Sequence, residues 1–498
     1  MSESKYIVAI DQGTSSCRAL LINMESAIVD IAQQEFTQIF PQSGWVEHDA
    51  NEIWETQLGV FEKLLNRNNI APTAILGIGI TNQRETTVVW NKESGEPIYN
   101  AIVWQDRRTA STCEKLKSSG HENYIKENTG LVVDAYFSGT KLKWILDNVD
   151  GARVLAEKNK LCFGTIDSWL IYKMTNGKQH ITDYTNASRT MLFNIKSLQW
   201  DNHILDILNL PQSLLPTVQA SASDFGEFEY KDFKIPICGV AGDQQAALFG
   251  QACFYKGMAK NTYGTGCFML MNIGNQFISS KNGLLTTLCC NERGEVAYAL
   301  EGSIFIAGAA VQWLRDGLKI ISNSSETEQM AFEVKDKHDV IVVPAFAGLG
   351  APYWNMYARG AIFGLTRGTT QNDIAKATLD ALAYQTKDVL NAMSDDSGVD
   401  LSVLNVDGGA VANNYLMQFQ ADILQANVGR PKVVETTAMG AAYLAAIQLN
   451  LWDDKTIENN RALDRLFEPE ISVEESQKLY AQWKKGVERT IDWVDKDL

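Results

Sequence analysis

Residues 6–23, YIVAIDQGTSSCRALLIN, decide the fold. Apolar residues alternate through both arms, and Asp11-Gln12-Gly13-Thr14-Ser15-Ser16 interrupts them. The pattern predicts a β-hairpin: a strand ending at Asp11, a tight glycine turn, and a second strand over residues 18–23. A glycine at such a tip lets the backbone approach a phosphate closely, and the neighbouring hydroxyls and N–H groups supply donors. Asp11 is then placed to hold Mg²⁺ through water, and Arg18 to reach a terminal phosphate. A plain hairpin is the other reading, because Asp-x-Gly-Thr is a short motif.

Residues 259–272, AKNTYGTGCFMLMN, repeat the design about half a chain later, with the turn at Gly264-Thr265-Gly266. Thr262 stands where Asp11 stands in the first hairpin, so only the first offers a metal ligand. A chain of 498 residues exceeds what one core usually serves. Two similar halves, residues 1–250 and 251–498, are the simplest division. Between the hairpins, helical and strand patterns alternate. A helix carrying Trp54, Leu58, Phe61 and Leu65 is expected behind a capping box at Asp49 and Glu52. Strands are expected at residues 74–80, 237–241 and 403–406. Helices are expected at 374–393, around Leu416, Phe419 and Ile423, and at 473–494. Such alternation predicts an α/β fold with sheets covered on both faces.

Forty-four basic against sixty acidic residues give a formal net charge of −16. A surface of that sign repels nucleic-acid backbones and anionic membrane faces, so nucleic acid is excluded as a partner and stable membrane association is not expected. It leaves room for a nucleotide held by local N–H groups and a metal ion. No uncharged apolar run approaches a membrane span; the longest, residues 340–354, is broken by Pro344, Gly348, Gly350 and Pro352. Eight cysteines without a C-x-x-C pair read as buried free thiols of a reducing compartment, and a cytoplasmic location is expected. The five histidines, at 48, 121, 180, 203 and 338, lack metal-ligand spacing.

Three more clusters carry chemistry. Gln83-Arg84-Glu85 sets a cation beside an anion at the carboxyl end of a strand, where open α/β sheets bind ligands. A polyol needs donors and acceptors together, and this pair offers both; a structural ion pair is the alternative. Gly242-Asp243-Gln244-Gln245 follows an apolar strand in the same way, and a carboxylate there can take the proton of an attacking hydroxyl or simply cap a helix. Asp407-Gly408-Gly409, leading to Asn413, makes a strand-to-helix turn fit to receive a nucleoside.

Together these loops resemble the sugar-kinase branch of the actin-like ATPases, two duplicated ribonuclease H-like domains with a nucleotide cleft between them. Longer strings, among them GWVEHDANEIW (44–54), GITNQRETTVVW (79–90), YFSGTKLKW (136–144), TDYTNASRTMLFNI (182–195), GVAGDQQAALFGQ (239–251), GAIFGLTRGTT (360–370) and DGGAVANNYLMQFQ (407–420), are similar to the glycerol kinases of the FGGY family of carbohydrate kinases. The resemblance implies ATP and Mg²⁺ as cofactors. It also implies transfer of the γ-phosphate to glycerol, giving sn-glycerol 3-phosphate and ADP, the first step of glycerol catabolism. Carried over residue by residue, Arg84, Glu85, Tyr136, Asp243 and Gln244 match the glycerol ligands, and Trp104 and Phe268 the aromatic walls. Asp243 matches the catalytic base and Asp11 the metal-water ligand. Thr14, Ser15, Ser16 and Arg18 match the phosphate loop, and Thr265, Gly308, Gln312, Gly409 and Asn413 the remaining nucleotide contacts. On this resemblance the first half carries glycerol, phosphate and metal binding, and the second carries the nucleotide. Relatives form dimers and tetramers, so a homodimer or homotetramer is expected.

One stretch departs from the resemblance. Some bacterial relatives bind fructose 1,6-bisphosphate as an inhibitor at a Gly-rich loop. Residues 225–234 here read FGEFEYKDFK, whose carboxylates at 227, 229 and 232 oppose such an anion. No inhibition by that sugar phosphate is expected. Competing functions are a kinase for another polyol or sugar, such as xylulose or gluconate, and an actin-like filament or chaperone ATPase. The last would have no use for Arg84, Glu85 and Asp243.

Overall fold

In the computed structural model, residues 4–334 and 339–494 are described; His338 lies outside them. The first sheet contains β1 (Tyr6–Gln12), β2 (Ser16–Asn23), β3 (Ile28–Glu35), β4 (Ile75–Asn82), β5 (Glu227–Tyr230) and β6 (Phe233–Gly242), in the order β5-β6-β4-β1-β2-β3. The hairpin forms as expected. Its second strand starts at Ser16, earlier than the sequence suggests, because the Gly13 N–H closes the turn on the Ser16 carbonyl at 2.9 Å.

The second sheet contains β7 (Ala259–Tyr263), β8 (Cys267–Gly274), β9 (Leu285–Cys290), β10 (Val296–Ile304), β11 (Val403–Gly408), β12 (Asn427–Pro431) and β13 (Leu463–Phe467). Its order is β9-β10-β8-β7-β11-β12-β13. Set aside the edge strands β5, β9 and β13, and both sheets run third, second, first, fourth, fifth. The first three strands are antiparallel, and the fourth and fifth lie parallel to the first. This is the duplicated α/β architecture of the actin-like ATPases.

Alternation along β1 sends its side chains to two different cores. Val8 and Ile10 pack with Ile53, Val60, Phe61 and Leu64 of α1 (Ala50–Arg67). That buried stripe is displaced from the expected one, with Trp54 and Leu58 at its margin. Asp49 caps α1 by accepting from the Asn51 and Glu52 N–H groups. The capping box is not completed, because the Glu52 carboxylate instead accepts from the Thr37 N–H and hydroxyl, both at 2.9 Å.

Ile7 and Ala9 face the other way, and what covers them comes from far along the chain. There α7 (Thr436–Gln448; the helices between α1 and it include α2, Asp243–Gly250, α3, Gly308–Asp316, α4, Glu326–Glu333, α5, Gln371–Ser397, and α6, Asn414–Leu424) packs on the first sheet and on α2. Small residues allow this. A Cβ added to Gly79 on β4 would meet the Ala441 carbonyl oxygen at 2.1 Å. The terminal helix spans Val473–Glu488, shorter than expected. The long helix at Gln371–Ser397 carries a capping box of Thr370 and Asp373 that the sequence reading missed.

All eight cysteines are free and buried. Among the described residues no helix is long and apolar enough to cross a membrane. Residues 225–234 form the β5–β6 hairpin rather than an open loop, with Glu227 paired to Lys234 and Glu229 to Lys178.

Candidate active site

The two glycine turns lie at equivalent ends of the two sheets. In register, Asp11 of β1 sits between Arg18 of β2 and Thr81 of β4. Thr262 of β7 sits between Phe268 of β8 and Asp407 of β11. Acid and threonine have thus exchanged places between the halves. The second half does hold a carboxylate, but Asp407 is engaged by Gln251 Nε2 at 2.9 Å and the Thr436 hydroxyl at 2.6 Å.

Asp11 is buried and ion-paired with Arg18, whose other Nη meets Glu435. Burial raises the Asp11 pKa against the lowering pull of Arg18. Among the described residues no group of three or more His, Cys, Asp or Glu side chains could hold a metal ion. Mg²⁺ commonly takes one or two carboxylates and completes its shell with waters and substrate phosphates, and Asp11 offers one carboxylate. The Thr14 hydroxyl accepts from the Trp104 indole N–H at 3.0 Å, Ser15 is exposed, and the Ser16 hydroxyl accepts from Gln33 at 3.1 Å.

Across from this loop lies a cavity of about 490 Å³. Thr265, Gly308, Gln312, Gly409 and Asn413, the five positions expected from the second half, all line it. The helix α3 starts at Gly308 against the Gly264 turn, the Gly308 N–H donating to the Gly264 carbonyl at 3.0 Å. Asn413 caps α6 through the Leu416 N–H at 2.9 Å. A second cavity of about 700 Å³ shares Gly409 and Ala412 with the first and takes in Arg18, Thr262 and Glu435.

The acceptor candidates gather where β4 and β6 end. Glu85 has φ +60°, and the Thr86 N–H donates to the Arg84 carbonyl at 2.7 Å, so Arg84-Glu85-Thr86 makes a strained γ-turn. The strain sits where function would use it. The turn presents Arg84 and Glu85 side by side, both almost fully buried. Arg84 Nε lies 3.2 Å from Asp243 Oδ1 and 3.8 Å from Glu85 Oε1. Asp243 opens α2, and its Oδ1 also accepts the Gln244 N–H at 2.7 Å. Its side chain keeps 35% exposure in a surround of buried charges.

Trp104 and Tyr136 meet edge to face, ring centroids 5.6 Å apart, and burial pushes the Tyr136 pKa up. Phe268 stands on the second sheet and forms no ring pair with them among the described residues. It is linked instead through Lys260, whose ammonium donates to the Phe268 carbonyl at 3.3 Å, the Thr262 hydroxyl at 2.8 Å and the Gln244 side chain.

Three members of this cluster escaped the sequence reading: Arg189, Lys260 and Glu301. Glu301 takes both Nη groups of Arg84, at 2.7 and 3.1 Å, and Arg189 Nε donates to Glu85 Oε1 at 2.6 Å. Burial would raise the Glu301 pKa, but the Arg189 and Arg84 guanidiniums hold it down at about 2. Burial, with the nearby Arg84 charge, lowers the Lys260 pKa to about 8, against the pull of Asp407 and Asp243. The one signal available was a charge inside an apolar strand, as in the Ala-Leu-Glu-Gly run around Glu301, which is costly unless paired.

Comparison with known proteins bears on this cluster. The family model for the N-terminal domain of the FGGY family of carbohydrate kinases matches residues 6–250, and that for the C-terminal domain matches 259–449. A glycerol kinase of Alkaliphilus oremlandii is 60% identical, covering 99% of each chain. Among solved structures, the Plasmodium falciparum glycerol kinase with ADP is 36% identical with a TM-score of 0.93, covering 98% of each chain. A gluconate kinase from Lactobacillus acidophilus, 20% identical over 98% of each chain with a TM-score of 0.88, shares the fold.

Proposed function

The chain belongs to the FGGY family of carbohydrate kinases, and from that premise we propose that it transfers the γ-phosphoryl group of ATP to a terminal hydroxyl of glycerol, giving sn-glycerol 3-phosphate and ADP. The observation that carries the reading is the convergence of Glu85 and Asp243 on the Arg84 guanidinium, each within ion-pair distance of its Nε. A donor and an acceptor fix a polyol hydroxyl, and the half-exposed carboxylate beside them takes its proton.

In this mechanism the hydroxyl proton passes to Asp243 as the oxygen attacks the γ-phosphorus in line, and the bond to the β-phosphate oxygen breaks to release ADP. The Gly13–Ser16 turn and Arg18 receive the phosphate oxygens from the first half, and the Gly264–Gly266 turn receives them from the second. Asp11 would hold Mg²⁺ through water; bound there, the ion neutralises charge on the phosphoryl oxygens. Gly308, Gln312, Gly409 and Asn413 form the walls available to the nucleoside. Trp104, Tyr136 and Phe268 supply apolar surface for the carbon chain, and bringing the halves together excludes water that would otherwise accept the phosphoryl group.

The reading is tested by ADP release with a panel of acceptors. Glycerol is expected to support turnover, with xylulose and gluconate far behind; preference for a longer sugar would reassign the acceptor within the same family.

A further inference from the structure

The acceptor cluster is not the product of one half. Arg84, Glu85, Arg189, Asp243 and Gln244 belong to the first family-matched region, whereas Glu301 stands on β10 and Lys260 on β7 of the second sheet. Glu301 lies 217 residues from Arg84 in the chain, yet each of its oxygens accepts one Arg84 Nη. Its Oε1 also lies 3.1 Å from Arg189 Nη2, while Arg189 Nε is taken by Glu85. Gln245 Oε1 accepts from Arg84 Nη1 at 3.2 Å. The Arg84 side chain is 2% exposed, and those of Arg189 and Glu301 are 0% exposed, so water cannot screen or replace these contacts.

The consequence lies in the geometry of the guanidinium. It is planar and rigid, so gripping both Nη atoms fixes the direction of the Nε edge. That edge faces Asp243 Oδ1 at 3.2 Å and Glu85 Oε1 at 3.8 Å. We propose that Glu301 is a positioning residue for phosphoryl transfer: reaching across from the second half, it orients the Arg84 guanidinium against Asp243 and Glu85, so that the acceptor site is complete only when the two halves are together. Without a carboxylate there, two buried guanidiniums, Arg84 and Arg189, are left with Glu85 and Asp243 alone to balance them, and Arg84 is free to turn its Nη edge toward Asp243. Lys260 gripping Gln244 makes a second crossing of the same kind, which fits the acceptor side as the place where the halves meet.

Glu301→Asp withdraws the carboxylate by one methylene and keeps its charge; Glu301→Gln keeps the shape and removes the charge. The inference rests on the acceptor reading given above. For Glu301→Asp the expected result is a glycerol KM raised about tenfold or more, with kcat lowered and the ATP KM within about threefold of wild type, at a melting temperature close to wild type. Glu301→Gln is expected to show the same split more strongly, or to lose folded protein, in which case Glu301→Asp alone decides. A merely structural clamp would lower the melting temperature and the active fraction while leaving the glycerol KM of the surviving enzyme in place, and that result would overturn the inference. Wild-type protein without glycerol-dependent turnover would overturn the acceptor reading as well; turnover in the wild type with an unmoved glycerol KM in Glu301→Asp would overturn this inference alone.

Discussion

Replacing Asp243 with Asn keeps the shape of the side chain and removes its basicity. The carboxylate Oδ1 accepts the Gln244 N–H at 2.7 Å and lies 3.2 Å from Arg84 Nε. An amide oxygen can keep both contacts, so the side chain holds its place at the start of α2. What is lost is the capacity to take a proton from the attacking hydroxyl. General-base assistance is worth about 10²–10⁴ in rate, which at roughly 1.4 kcal/mol per tenfold amounts to ~3–6 kcal/mol of transition-state stabilisation. The residues expected to contact the nucleotide line a cavity whose lining does not include Asp243, so the ATP KM should stay within about threefold. A coupled assay of ADP release, run with saturating glycerol, reads both quantities, and a thermal melt checks that the variant is folded. A kcat within about tenfold of wild type would remove Asp243 from the role of base.

Further expectations concern the nucleotide, the pH profile and an anionic effector. Gly409 lines both cavities, and a Cβ built there meets no protein atom within 4 Å. Gly409→Ala should therefore fold normally yet raise the ATP KM about tenfold, by filling space the nucleotide needs; an unchanged ATP KM would put the nucleotide elsewhere. Lys260 is charged below a pKa that burial lowers from 10.5 to about 8, and in that form it grips Gln244, among the charges of Asp243, Asp407, Arg84 and Glu301. The glycerol KM should rise as pH passes about 8, and the break should vanish in Lys260→Gln. Folding has the opposite sign: between about 8 and 10.5 the unfolded lysine binds a proton that the folded one has lost, so this residue's contribution to stability rises with pH. A glycerol KM flat through that range would refute the grip. Millimolar fructose 1,6-bisphosphate should leave turnover unchanged, because residues 227–236 form a closed hairpin in which Glu227 and Glu229 already hold Lys234 and Lys178; halved turnover would refute that reading.

Much of the architecture could be read from local pattern. The two Gly-Thr turns at Gly13 and Gly264 betray two equivalent hairpins, because a tight turn between alternating arms leaves a short-range signature. Of the five cavity residues, Thr265, Gly409 and Asn413 belong to glycine-bearing motifs that local pattern exposes, whereas Gly308 and Gln312 came with the family resemblance alone. The remainder depends on contacts between distant segments. The sequence reading did not single out the Ala-rich stretch forming α7, and nothing local says that it crosses back to cover Ile7 and Ala9 of the first sheet. Glu301, Lys260 and Arg189 are single charges that no motif links to the other site residues. Their partners lie in other halves or other loops, so no spacing rule connects them, and only the assembled fold shows them paired. The γ-turn at Glu85 is hidden likewise, since a non-glycine residue at φ +60° leaves no mark in composition.

Transfer to glycerol is tested most directly by following ATP consumption by the purified protein in Mg²⁺ with and without glycerol, while sn-glycerol 3-phosphate is quantified in the same samples. The expected result is one sn-glycerol 3-phosphate for each ADP, with consumption falling by about two orders of magnitude or more when glycerol is withheld. ATP consumed at the same rate without glycerol, or ADP formed with no sn-glycerol 3-phosphate, would contradict it.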